Sequence, residues 1–180
     1  SYDEECLISP RIAKISNNSS YGIEWEFVYD ELGRYTHRED TTSSNNANVD
    51  LDITYKPGTY LKDKITYSGG ASETIEHTYD DRGNVTNTKV TRLNDVTETE
   101  YTYDPVNRLI KEVNGAYGVT REYTYDEEGN ISTVKEGDNV ETCVYNAGRL
   151  VSVKNGDRTV ENYSYDTYGN PTYYKSDTRN

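Results

Sequence analysis

The residues of this 180-residue chain best suited to acid–base, nucleophilic or metal chemistry are few: His37, His77, Cys6 and Cys143. His77 stands in "HTYD" and Cys143 in "CVYN", each at a place where related stretches carry Tyr. An imidazole on a strand surface and a small half-hydrophobic thiol fit those places better than a base or a nucleophile. No Ser or Cys is tied to either His by a known signature, and there is no P-loop or GxGxxG stretch. The two cysteines form no CxxC pair and no dense framework, so their pairing stays open. Asp and Glu number 32, enough for many acid/base pairs to arise by chance, so no such pair is singled out. The chemistry-bearing set therefore predicts no catalytic residue, no metal site and no cofactor.

One carboxylate does recur in a fixed setting. Asp30, Asp80, Asp104, Asp126 and Asp166 each follow a Tyr, and four of the five have Gly three residues on: Gly33, Gly83, Gly129 and Gly169. Clustered Asp oxygens suit Ca²⁺. They suit a turn better, because an Asp at the first turn position accepts a hydrogen bond from the backbone two residues on. Gly at the fourth position supplies the left-handed residue that ends a type I turn in a hairpin. The stretch Asp104-Pro105-Val106-Asn107 keeps that geometry with other letters. Pro105 fixes φ for the second turn position, and Asn107 replaces Gly with a residue tolerant of positive φ. In "YNAGRL" the turn is one residue shorter and Gly148 remains.

These turns punctuate strands. Taking the Tyr of each Tyr-Asp step as a mark, and counting decayed copies, the marks fall at Tyr2, Tyr29, Tyr55, Tyr79, Tyr103, Tyr125, Tyr145 and Tyr165. The spacings shorten from 27 to 20 residues along the chain. Between marks lie runs such as "NRLIKEV" and "RLVSVKN", then a second turn signal: Gly69-Gly70, Asn114-Gly115, Gly137-Asp138, Asn155-Gly156. Each unit thus predicts two antiparallel strands and two turns, with Tyr-Asp turns along one edge and the varied turns along the other. On this reading Gly129, in the recurrent turn, tolerates substitution less well than Gly137, in a varied one. The stretch "CLISPRIAKIS" reads as strand because of Pro10 and its β-branched residues.

Composition agrees. Leu, Ile, Val and Phe number 31, whereas Tyr alone numbers 19. In Tyr101-Thr102-Tyr103, Tyr123-Thr124-Tyr125 and Tyr163-Ser164-Tyr165 the two rings share a sheet face. Tyr suits a half-wet face, where its ring packs across the strand and its hydroxyl reaches a polar partner. Those six Tyr also form flat rows on which a sugar could stack, so a carbohydrate-binding or adhesive module is the alternative to a scaffold. The net charge of −13 argues against nucleic acid and anionic lipid. No apolar run approaches the ~20 residues of a membrane span, so membrane insertion is not expected, and "SYDEECLISP" carries no signal-peptide pattern.

The motif Tyr-Asp-x-x-Gly-Arg/Asn-Leu resembles the RHS or YD-repeat family of bacterial wall-associated proteins, polymorphic toxins, insecticidal toxin complexes and animal teneurins. It stands here as "YDELGRY" (29–35), "YDDRGNV" (79–85), "YDPVNRL" (103–109), "YDEEGNI" (125–131), "YNAGRL" (145–150) and "YDTYGNP" (165–171). The two-turn unit predicts an all-β fold, a curled, mainly antiparallel sheet of tandem hairpins with about fourteen to sixteen strands, and the resemblance implies that it is an open fragment of an RHS-type shell. Residues 1–180 then form one array, degenerate over 2–76 and clear over 77–173, with 38–50 a mobile loop. It further implies a non-catalytic structural segment of a secreted or cell-surface bacterial protein. Its partner is the rest of a longer YD-repeat chain; a glycan or the cell wall is the partner under the alternative. Eight units are expected to be a piece of a shell rather than a closed one.

Overall fold

A computed structural model describes residues 2–3, 11–12, 14–16, 24–40, 49–69 and 72–176. Cys6 and Gly70 lie outside that set, as do residues 41–48. No helix occurs among the described residues. The chain forms two compact units, Ser1–Glu98 and Thr99–Asn180.

In the first unit a short pair, β1 (Tyr2–Asp3) and β2 (Arg11–Ile12), stands apart from a sheet. That sheet runs in sequence order through β3 (Lys14–Ser16), β4 (Glu24–Tyr29), β5 (Tyr35–Asp40), β6 (Asp50–Tyr55), β7 (Lys62–Ser68), β8 (Glu73–Tyr79) and β9 (Val85–Arg92). The chain enters the second unit within β10 (Asp95–Tyr103). There the order continues through β11 (Leu109–Asn114), β12 (Val119–Tyr125), β13 (Ile131–Glu136), β14 (Asn139–Asn146), β15 (Arg149–Asn155), β16 (Arg158–Tyr165) and β17 (Pro171–Ser176). Pairing within each unit is antiparallel, each strand with its chain neighbour. Such a meander follows from hairpin turns alone, which cannot skip a strand.

Two expectations about boundaries change. Arg38–Asp40 continue β5, where Asp40 pairs Trp25, and Asp50 opens β6 opposite Ser68. The polar stretch 38–50 therefore lends residues to strands at both ends, because a paired neighbour decides strand length more than local composition does.

Burial is shallow. Among the described residues only Ile53, Val153 and Ser152 fall in the buried class, at 6%, 7% and 9% exposure. Many strand residues are half-buried, and in some strands they alternate with exposed ones: in β12, Tyr123 and Tyr125 are half-buried while Thr124 is exposed, and Tyr163 and Tyr165 flank exposed Ser164 likewise. With so few residues fully buried, half-buried Tyr rings add to the apolar burial, and fixed polar contacts carry more of the specificity than in a deep core.

Candidate functional site

The recurrent site is the Tyr-Asp turn. In Asp104–Arg108 the Asn107 N–H donates to the Asp104 carbonyl at 3.0 Å, and the Asp104 N–H donates to the Arg108 carbonyl at 2.9 Å. The same two bonds close the turns at Asp30, Asp80, Asp126 and Asp166. The fourth residue is left-handed in each: φ is 73° at Gly33, 84° at Gly83, 66° at Asn107, 88° at Gly129 and 91° at Gly169. Asn107 thus holds the backbone that Gly holds elsewhere.

The Asp side chain fills the interior of the turn. Asp104 Oδ1 accepts from the N–H of Val106 and of Arg108, both at 2.9 Å. Its Oδ2 accepts from Arg108 Nε at 2.7 Å. Where the sixth motif residue is Asn, the amide takes the place of the guanidinium: Asn84, Asn130 and Asn170 donate Nδ2–H to Oδ2 of Asp80, Asp126 and Asp166 at 2.9, 3.0 and 2.9 Å. Arg and Asn share one task at that position, donating to the outer carboxylate oxygen. Both oxygens of each carboxylate are engaged inside the turn, and no cluster of three or more His, Cys, Asp or Glu suited to a metal occurs among the described residues.

These bonds hold each carboxyl below the ordinary carboxylate value. For Asp80, Asp126 and Asp166 the leading cause is the Asn amide. For Asp104 it is the Arg108 N–H. At Asp30 burial is the largest single influence and pushes upward, but the N–H and guanidinium of Arg34 together outweigh it.

Five of the Tyr that open a repeat turn reach back one repeat. Tyr55 Oη donates to the Tyr35 carbonyl at 2.6 Å, Tyr79 to Lys62 at 2.5 Å, Tyr125 to Leu109 at 2.6 Å, Tyr145 to Ile131 at 3.0 Å and Tyr165 to Leu150 at 2.9 Å. Each acceptor is the ladder partner of the preceding repeat's Tyr. There the register breaks. Thr102 pairs Lys111 while Tyr103 pairs Leu109, leaving Ile110 as an extra residue. The same bulge recurs at Tyr29, Tyr55, Tyr79, Tyr125, Tyr145 and Tyr165. A bulge bends its strand and interrupts the ladder, and the hydroxyl lands on the carbonyl beside that interruption.

Arg directly after the left-handed residue adds a second tie. The Arg34 guanidinium lies 4.5 Å from the centre of the Tyr55 ring, Arg108 lies 4.4 Å from that of Tyr125, and Arg149 5.9 Å from that of Tyr165. Arg34 also bonds the Thr59 carbonyl in the next turn. The decayed unit shows what is dispensable. Lys56 has no carboxylate, and the Thr59 hydroxyl takes over, donating to the Lys56 carbonyl at 3.0 Å and accepting from the Leu61 N–H at 3.1 Å. The shortened turn at Tyr145 becomes a two-residue loop with φ of 50° at Ala147 and 74° at Gly148.

The six Tyr of the sheet-face rows are half-buried. Tyr125 and Tyr165 spend their hydroxyls on the main chain, Tyr123 donates to Glu112 at 3.4 Å and Tyr163 to Glu161 at 2.6 Å. Tyr101 and Tyr103 pair Glu112 and Leu109. Among the described residues the most exposed Tyr are instead Tyr60, Tyr117 and Tyr168, at 72%, 81% and 89%.

The remaining chemical groups stay dispersed. His37 Nδ1 lies 2.8 Å from Asp52 Oδ1, its cross-strand partner. An open depression of about 460 Å³ in the first unit is lined by Lys56, Asp63, Glu76, His77, Lys89 and Glu98 among others. His77 does not join those carboxylates, because strand alternation turns its ring to the face opposite Glu76. There it contacts Tyr79 and lies 3.1 Å from the Thr88 hydroxyl, and burial lowers its pKa. Cys143 is a half-buried free thiol opposite Val153, its pKa raised by burial. No helix among the described residues is long and apolar enough to cross a membrane.

The sequence reading missed the bulge, the return of the Tyr hydroxyl and the shared role of Arg and Asn. A signal for the bulge was present: in "NRLIKEV" and "RLVSVKN" two apolar residues stand side by side after the turn, against a period of two.

Comparison with known proteins places this geometry. The teneurin YD-shell family model matches residues 39–175. No curated protein matches the chain. Among solved structures, the crystal structure of TcdB2-TccC3-Cdc42 is similar over 94% of this chain, at 14% identity and a TM-score of 0.54. The crystal structure of TcdB2-TccC3 without its hypervariable C-terminal region is similar over 93%, at 14% identity and a TM-score of 0.55. At that identity the likeness concerns the fold. This chain spans only 12% and 11% of those two chains.

Proposed function

The chain belongs to the teneurin YD-shell family, and from that premise we propose that it is a non-catalytic stretch of shell wall in a longer, secreted or cell-surface bacterial protein. The observation that supports this reading is the tie from the hydroxyls of Tyr55, Tyr79, Tyr125, Tyr145 and Tyr165 to a carbonyl of the repeat before. Recurrent residues are engaged in fixing one turn and joining it to its predecessor, which leaves no repeat chemically set apart. An active site needs reactive groups converging where a pattern breaks. The breaks here, at Lys56 and Ala147, are filled by a Thr hydroxyl and a shortened turn. The partner of this segment is the remainder of its own polypeptide, and its role is to enclose or display what that remainder carries.

Limited proteolysis of the parent protein tests the reading. An intact wall protects the chain it encloses; Tyr125→Ala and Asp104→Ala, which cut ties in the wall, should expose that chain to cleavage. Unchanged protection in both variants would count against a wall role. Tight binding on a glycan array, lost when the Tyr rows are replaced, would transfer the reading to a glycan-binding surface.

A further inference from the structure

The last hairpin carries a cluster that the shell geometry does not use. Tyr163 on β16 and Tyr174 on β17 are direct cross-strand partners. Their ring centroids are 5.1 Å apart with planes at 39°. Both hydroxyls turn to one carboxylate: Tyr163 Oη donates to Glu161 Oε2 at 2.6 Å, and Tyr174 Oη lies 3.5 Å from Glu161 Oε1. Tyr165, two residues on, instead spends its hydroxyl on the preceding repeat, as the recurrent Tyr do. Every residue of β17 is exposed, Tyr174 at 56%. The two phenols are thus cross-strand neighbours with rings in contact and both hydroxyls turned to one carboxylate.

We propose that Tyr163 and Tyr174 are an oxidative cross-linking site, joined as dityrosine when a haem peroxidase and hydrogen peroxide supply the oxidant. Each phenol gives one electron to the oxidised haem and one proton to Glu161, which passes it to solvent. The two phenoxyl radicals, whose unpaired spin is shared with the ortho carbons, couple to form one carbon–carbon bond. The two ring protons then move to oxygen and restore both phenols. The protein loses two hydrogens in all, and one peroxide becomes two waters. The product locks β17 covalently to β16 without disturbing the Tyr165 tie. The Tyr29–Tyr35 pair, also direct partners, is less favourable: its centroids are 6.0 Å apart, its planes lie at 57°, and the Tyr35 carbonyl side is already joined to Tyr55.

The test is peroxidase treatment of the folded chain, separation of monomer from dimer, and peptide mapping of the monomer. The expected result is a loss of two hydrogens with dityrosine emission, mapped chiefly to a link between the Tyr163 and Tyr174 peptides. Tyr163→Phe and Tyr174→Phe should each abolish that link, and treatment in denaturant should scatter it. Glu161→Gln should slow its formation. Links spread over Tyr60, Tyr117 and Tyr168, or found only between molecules, would overturn the proposal. So would an undiminished monomer cross-link in Tyr174→Phe with a circular dichroism spectrum like that of the parent.

Discussion

The two kinds of turn in this protein solve one problem by different means. Tyr-Asp turns are held by side chains: a carboxylate bonded to two or more donors within the turn, and a Tyr tied to the repeat before. Return turns rest mainly on backbone conformation. Gly137 and Gly156, each the first residue of a two-residue loop, have φ of 59° and 56°, and Leu93 stands in the same role at 54°. The loop between β11 and β12 is longer, with Gly118 at 61°. A turn fixed by side chains must repeat its letters, whereas one fixed by φ alone admits any residue that reaches positive φ. That is why one edge of each unit reads as a motif and the other as variation. Left-handed backbone is nonetheless common to both edges. The ground for ranking Gly129 above Gly137 is therefore gone, since both take positive φ and neither has a neighbour within 4 Å of an added Cβ.

The largest break in this contrast should come from Tyr125→Ala, which removes a half-buried ring, the bond to Leu109 and the face under Arg108 together. A loss of about 3 kcal/mol is expected from chemical denaturation. Replacing Val140, a 41%-exposed residue beside a return turn, by Ala should cost well under half of that.

Acid should act on the Tyr-Asp edge selectively. The five turn carboxyls sit below their unfolded values. The stability they contribute is complete above the unfolded value near 3.8 and is lost as pH falls through the lower folded values. Hydrogen exchange at falling pH should therefore release the amides of Val106 and Arg108 before those flanking Gly137. Asp104→Asn should lower the melting midpoint at neutral pH and flatten its acid dependence.

How much of this was legible beforehand follows the same division. Asp30, Gly33, Asp104 and Asn107 could be read because local turn chemistry demands those types at those offsets. Strand order followed from the turns. The destination of the Tyr hydroxyl could not be read. Alternation gives the face of a Tyr, not the carbonyl it meets on a neighbouring repeat, and that carbonyl is placed by a bulge that only the paired register reveals. The limits of the 38–50 loop were missed for a related reason, since Asp40 and Asp50 are drawn into strands by partners remote in sequence.

Substitution of the turn glycines sharpens the comparison. Gly129→Val and Gly137→Val should each cost about 1–2 kcal/mol, because the penalty is conformational in both. Gly129→Asn should be nearly neutral, as Asn107 occupies the equivalent position at 66°. A change in the opposite direction is expected at another left-handed residue. Leu93 is 82% exposed and left-handed, so Leu93→Gly should raise stability by about 1 kcal/mol, read from the denaturation midpoint.

The central claim is that Tyr hydroxyls join successive repeats. Its most direct test removes single oxygens: the denaturation free energies of Tyr125→Phe and of Tyr117→Phe, whose ring is 81% exposed. A loss of about 1 kcal/mol at Tyr125 is predicted, with no measurable change at Tyr117. Equal effects at the two positions, or none at Tyr125, would contradict the account.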